Sequence, residues 1–202
     1  MSSANKDHYE LLPALYPDGK GGQSEWYYEP TAYCDHRYIL GVLGPWSEYQ
    51  NPLICVGINP STAQPGALDN TLKSVERIAN NNHHDGWIML NVYPQRATNP
   101  NDLHQEPDAA LVADNLKWAA SLLWKLPQAT IWAAWGTLIE KRPWLFPLLG
   151  DLAKVCNEAD VDWVTYGPRS KAGHPHHPLY LRKDSRPESF DINAYLAGNG
   201  VL

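Results

Sequence analysis

The stretch from Leu53 to Asn70, LICVGINPSTAQPGALDN, constrains this chain more than any other. An apolar run, Leu53 to Val56, breaks at Gly57-Ile58-Asn59-Pro60 into small and hydroxyl-bearing residues, Ser61-Thr62-Ala63. A continuous apolar run that stops this way reads as a buried parallel strand ending in a loop. Gly57 admits close backbone approaches that a Cβ would block, and Pro60 fixes φ and turns the chain off the strand line. Asn59 is thereby presented at the carboxyl end of a strand, the edge where open α/β sheets bind ligands. Taken alone, the stretch also reads as an ordinary strand-to-helix turn in which Asn59 bonds its own backbone.

The pattern recurs downstream. Leu72, Val75, Ile78 and Ala79 fall at helical spacing over 70–82, with Asp69 or Asn70 placed as the cap. Trp87 to Leu90 reads as a second buried strand, and again an Asn, Asn91, stands at its end. A loop containing Tyr93, Arg96 and Thr98 leads into a helix expected over 108–126. Thr130 to Trp135 reads as a third strand closed by Gly136, and Asp162 to Tyr166 as a fourth. Between those two lies a helical region, 137–159, interrupted by Pro143 and Pro147. A histidine-rich loop, Gly173-His174-Pro175-His176-His177-Pro178-Leu179-Tyr180, precedes a short helix expected over 189–196. Upstream, 26–46 reads as one or two antiparallel strands, and 1–25 as a loosely held, flexible start.

Strands separated by helices imply βαβ units with right-handed crossovers, which bring the strand ends to one rim. The expected fold is one α/β domain over 26–202. It has three α/β/α layers, a central, mainly parallel four-stranded sheet and an N-terminal β extension. Asn59, Asn91, Gly136 and the histidine loop should converge.

Composition excludes several alternatives. A net charge of -6 argues against gripping nucleic acid by bulk electrostatics, although a local strip from Lys73, Arg77, Arg96, Arg169, Lys171 and Arg182 stays open. Three cysteines, Cys34, Cys55 and Cys156, make neither a disulfide framework nor the four ligands of an iron–sulfur cluster. Cys34 and His36 sit two apart but lack a second pair, and three neighbouring histidines in a Pro-bounded loop rarely reach one ion. No metal and no cofactor is expected. Ser61 and Thr62 at a helix start could add donors for a phosphate, but no Gly-x-x-x-x-Gly-Lys loop supports nucleotide hydrolysis. No run suggests a membrane span or secretory signal, so the expectation is a soluble, cytoplasmic protein.

Through GINPSTA, Asp69 and Thr71, NVYPQRATNP, AAWG and GHPHHPLYL, the whole chain resembles the DUF1643 family. In the same order, VGINP, IMLN, IWAAWG and HPHHPL resemble the landmarks of the uracil-DNA glycosylase superfamily, its mismatch-specific branch in particular. That second resemblance implies a nucleobase pocket. Asn59 would hold a water, Asn91 would read the base with its donor and acceptor, and Tyr93 would offer a stacking surface. His174 would bond the departing base, with His176 and His177 competing because the loop is one residue longer. Leu179 would match the wedge that replaces a flipped base. The most active branch has Asp where this chain has Asn59, so either catalysis is slow or Asp69 supplies the base.

Two functions follow as expectations. One is an N-glycosylase-like hydrolase acting on a base in nucleic acid or a nucleotide, with Asn59, Asp69 and His174 catalytic. In it Asn91, Tyr93, Ser61, Thr62, Arg96, His177 and Leu179 bind the substrate. The other is a non-catalytic module that recognises a nucleobase, nucleotide or nucleic acid on the same fold.

Overall fold

Residues 53–57 sit at the middle of the molecule because both faces of their strand are apolar. In the computed structural model, which describes residues 8–18, 21–44 and 51–201, this segment is strand β4, Leu53–Gly57. Leu53 and Cys55 point into one hydrophobic cluster, and Ile54 and Val56 into the other. Its neighbour β5, Gly86–Asn91, alternates in the same way, Trp87 and Met89 against Ile88 and Leu90. Strands β6, Thr130–Ala133, and β7, Asp162–Tyr166, complete a run of four parallel strands in the order β5-β4-β6-β7.

Helices cover both faces. Helix α1, Asn70–Asn81, buries Leu72, Val75, Ile78 and Ala79 against one side, and Asp69 caps it by accepting from the Leu72 N–H at 2.9 Å. Helices α2, Ala109–Lys125, α3, Leu145–Asn157, and α4, Ile192–Gly198, pack on the other. Pro147 is tolerated as the third residue of α3, where a backbone N–H has no intrahelical acceptor. The interrupted region expected over 137–159 is a 3-10 segment, Gly136–Lys141, followed by α3.

The sheet differs from the four-stranded, mainly parallel one expected. It has eight strands, in the order β1-β2-β3-β5-β4-β6-β7-β8, and four of its seven pairings are antiparallel. Strands β2, Gln23–Glu29, and β3, Ile39–Leu43, extend it beyond β5, and β1, Ala14–Pro17, lies outside them. On the opposite edge β8, Pro187–Ser189, pairs with β7, so Ser189 belongs to a strand and α4 begins only after its cap Asp191. Both edge strands are short and largely exposed, without the apolar run or alternation that marks an inner strand.

Within the segment 1–25, Leu11 is buried and the Tyr9 hydroxyl donates to Asp114 of α2 at 2.7 Å. Residues 1–7, 19, 20 and 45–50 lie outside the described residues, and Trp46 with them. Among the described residues no helix is long and apolar enough to cross a membrane.

From β4 the chain passes through α1 to β5 on one side, then through α2 back across β4 to β6 on the other. Strand order therefore reverses beside β4, and the crevice beyond its carboxyl end is the fold's natural ligand site.

Candidate functional site

That crevice is a cavity of about 440 Å³, within the range of small-molecule sites. Gly57 ends β4 opposite Asn91 of β5. A Cβ on Gly57 would stand 2.4 Å from Met89 Cε and 3.3 Å from Asn91 Oδ1, so a larger residue there would push the Met89 side chain aside. Beyond β4 the pairing continues into loops: Val92 and Tyr93 N–H donate to the Gly57 and Ile58 carbonyls, and Ala97 N–H to that of Pro60, each at 2.9 Å. This brings 57–62 alongside 92–98.

Asn59 lines the cavity, and its Nδ2 donates to the carbonyls of Pro60 at 2.9 Å and Ala97 at 2.8 Å. Its turn-bonding role and its place at the strand end are thus both present. Its Oδ1 makes no hydrogen bond among the described residues. Ser61 Oγ and Thr98 Oγ1 are 3.0 Å apart on the wall, with Thr62 beside them. Arg96 fastens the loop from behind. Its Nη1 donates to the carbonyls of Ser61 and of Ala63, the latter at 3.1 Å, and its Nη2 to the Tyr28 hydroxyl at 3.0 Å. The guanidinium stacks over Tyr33, 4.3 Å from the ring centre.

Asp69 and His177 reach the same cavity from opposite ends of the chain. Asp69 Oδ1 is committed to the helix cap. His177 Nδ1 accepts from the Leu179 N–H at 3.3 Å, which puts the neutral ring's hydrogen on Nε2. Burial, with help from His176, holds the His177 pKa below the ordinary histidine value, and Asp69 partly opposes that. His177 is placed by Gly136, whose φ of +61° suits glycine and whose missing Cβ would stand 3.1 Å from His177 Cβ. Leu179 also lines the cavity, and Tyr180 beyond it is 81% exposed.

Four expected site residues do not line the cavity: Asn91 and Arg96 lie behind its wall, and His174 and Tyr93 belong elsewhere. His174 is 1% exposed, with Nδ1 2.7 Å from the Tyr195 hydroxyl and Nε2 3.0 Å from Glu140 Oε1, so both ring nitrogens are occupied. It faces a neighbouring cavity instead. Tyr93 is fully buried in the cluster beneath α2, where its hydroxyl meets His104 Nδ1 at 2.7 Å and accepts from the Asp108 N–H at 2.9 Å. No face of its ring is available for stacking.

Buried side-chain atoms without a hydrogen bond occur at His8, Arg37, Asn91, Arg96, Trp132 and Thr165, and two of these residues, Asn91 and Arg37, stand at the cavity. Asn91 is 0% exposed, and neither its Nδ2 nor its Oδ1 is hydrogen-bonded. It lies two residues after Met89, which lines the cavity, and so points to the same sheet face. Arg37, just before β3, lines the cavity at 2% exposure. The sequence reading missed it; the only signal was a charged residue heading the apolar run Tyr38 to Leu43.

Several basic residues expected at the rim are engaged elsewhere. Arg77 donates to the Leu181 carbonyl at 2.9 Å, Arg182 pairs with Asp184 at 3.0 Å, and Arg169 covers Phe190. Cys34, Asp35 and His36 place ligand atoms within 4.8 Å of one another. There His36 Nδ1 meets Asp35 at 2.7 Å and the Cys34 thiol reaches the His36 carbonyl at 3.3 Å.

Fold and site together define a mixed α/β protein with a polar, incompletely satisfied cavity at the switch point of its sheet. Residues 37–179 match the family described as Protein of unknown function (DUF1643), and the chain belongs to that family. No curated protein and no solved structure matches the chain.

Proposed function

We propose that the cavity beyond β4 receives a nucleobase-bearing ligand and that its groups serve hydrolysis of the N-glycosidic bond, as in the uracil-DNA glycosylase superfamily. The observation that carries this reading is the unpartnered Asn91 amide. A planar edge with one donor and one acceptor complements the Watson–Crick edge of a base. Leaving either group buried and unbonded costs about 1–3 kcal/mol, which a correctly shaped ligand recovers.

The chemistry divides between two sides of the cavity. A water held by Asn59 Oδ1 attacks the anomeric carbon and passes its proton to Asp69. The carbon–nitrogen bond breaks with its electron pair moving to the base. Nε2–H of His177 then hydrogen-bonds the base oxygen as negative charge develops there. His177 takes the role expected of His174, because its Nε2 has no protein partner among the described residues.

The test is base release from nucleosides, nucleotides and short strands containing uracil, hypoxanthine or a mismatch. His177→Ala is expected to slow release by about 10²–10³-fold, as loss of one oxyanion donor does. Asn91→Ala should abolish binding. Absence of both binding and release across the whole panel would overturn the reading.

A second reading has its own support. Both Nδ2 hydrogens of Asn59 are held by backbone carbonyls, and position 59 has no carboxylate. A binding module with this pocket would bind through Asn91 and release no base.

A further inference from the structure

We infer that Arg37 anchors a phosphate monoester of the ligand, which makes that ligand a free nucleotide rather than a polynucleotide. The inference relies on the base-binding reading for the rest of the ligand, but not for the anion.

Arg37 is 98% buried by its 2% exposure, and it lines the cavity. A guanidinium carries five N–H donors, and here one bond is made, from Nη1 to the Ala63 carbonyl at 3.3 Å. Nε is sealed from solvent with no partner. Among the described residues no carboxylate oxygen comes within 4.0 Å of it. A buried cation without a counter-ion is far too costly to be incidental. A second cation makes matters worse, since Arg96 donates to the same Ala63 carbonyl at 3.1 Å. Burial first and Arg96 second pull the Arg37 pKa down to about 9, which still leaves the group charged at neutral pH. Asp69 favours that charge from within the cavity wall, but its Oδ1 is spent on the α1 cap.

An oxyanion entering the cavity supplies what is missing. Ser61, Thr62 and Thr71 line the same cavity, and hydroxyl side chains of this kind can donate to the oxygens of an anion. A polynucleotide would need further cations along its track. Arg77, Arg96 and Arg182 are bonded to the protein itself, and the chain's net charge is -6.

The experiment is a calorimetric titration of the whole chain at about 0.15 M salt, where surface attraction is screened. The probes are inorganic phosphate, ribose 5-phosphate, a set of nucleosides, their 5′-monophosphates and a short single strand. A monophosphate is expected to bind at least about tenfold more tightly than its nucleoside, the gain of a charge-assisted bond. Arg37→Gln should remove that advantage and leave nucleoside affinity within about twofold. Equal affinity of nucleoside and monophosphate for the wild-type protein overturns the anion site and needs no variant, while leaving the base pocket standing. Binding of phosphate and ribose 5-phosphate without any nucleoside, lost in Arg37→Gln, supports the anion site and overturns the base reading. A strand that binds more tightly than the monophosphate overturns the free-nucleotide assignment.

Discussion

Two buried polar clusters sit at the carboxyl edge of the same sheet, and they are finished to different degrees. Around His174 both ring nitrogens, the Tyr195 hydroxyl and the Trp135 indole N–H have partners. Trp135 Nε1–H donates to the Tyr195 hydroxyl at 3.1 Å, so that oxygen accepts and its own hydrogen goes to His174 Nδ1 at 2.7 Å. Nε2–H of His174 then meets Glu140 at 3.0 Å. The direction of each bond follows from Trp being only a donor and a carboxylate only an acceptor. Around Gly57 the reverse holds: the Asn91 amide and Arg37 Nε are buried and unbonded. The difference separates a histidine that holds α4 and the 3-10 segment together from residues whose partners, on the proposed reading, come with a ligand.

The comparison breaks most visibly at His174. His174→Ala should cost about 3 kcal/mol in urea unfolding, since it opens a cavity and strands the Tyr195 hydroxyl. Ligand affinity of the molecules that remain folded should not change. A stable variant with lost binding would place His174 in the site after all.

Gly136 joins the two clusters, because it opens the 3-10 segment that carries Glu140 and seats His177. At φ +61° an alanine there is strained, and its Cβ would meet His177 at 3.1 Å. Gly136→Ala should therefore cost about 1–2 kcal/mol and also weaken binding by shifting His177. Loss of stability with unaltered binding would detach His177 from the site.

This junction also shows what sequence can and cannot disclose. The parallel strands were legible because they are short, largely apolar segments covered on both faces, α1 because of its spacing and its Asp69 cap, and α2 because of its spacing. Strands β1 and β8 were not, since an exposed edge of three or four residues imposes no pattern. In the site, Asn59 and Asp69 were readable as punctuation around one strand and one helix. The choice among His174, His176 and His177 was not, because Gly136, Glu140 and Tyr195 decide it from distant positions. Arg37 was invisible for the same reason: its burial is a tertiary fact.

Asn91 sharpens the contrast with the opposite sign. Replacing an unsatisfied buried amide by an apolar group of similar shape removes a desolvation cost. Asn91→Leu should raise stability by about 1 kcal/mol while abolishing nucleobase binding, a trade of function for stability. A loss of 2 kcal/mol or more on the same substitution would mean that the amide is already satisfied. Asp69 offers a smaller test. Asn caps helices as well as Asp does, so Asp69→Asn should shift stability by less than about 0.5 kcal/mol, whereas Asp69→Ala should cost about 1 kcal/mol. Base release should fall in both.

The smallest effect is a slope in pH. Burial holds His177 below the ordinary histidine pKa, His176 adds to that, and Asp69 opposes it. The folded state therefore binds the proton less well than the unfolded chain. Stability from the neutral ring is fully present above about pH 6.5, the unfolded value, and is lost as pH falls from there through the lowered folded value. His84, also depressed chiefly by burial, contributes a slope of the same sign and remains in the variant. Urea unfolding at pH 5, 6, 7 and 8 should thus show a shallower decline for His177→Gln than for the wild type. Glutamine keeps an N–H donor near the place of Nε2, so its binding should lose its pH dependence before it loses its strength. Identical slopes in the two proteins would mean that the His177 ring is solvated, and the contrast between a closed histidine and an open one would then rest on Asn91 and Arg37 alone.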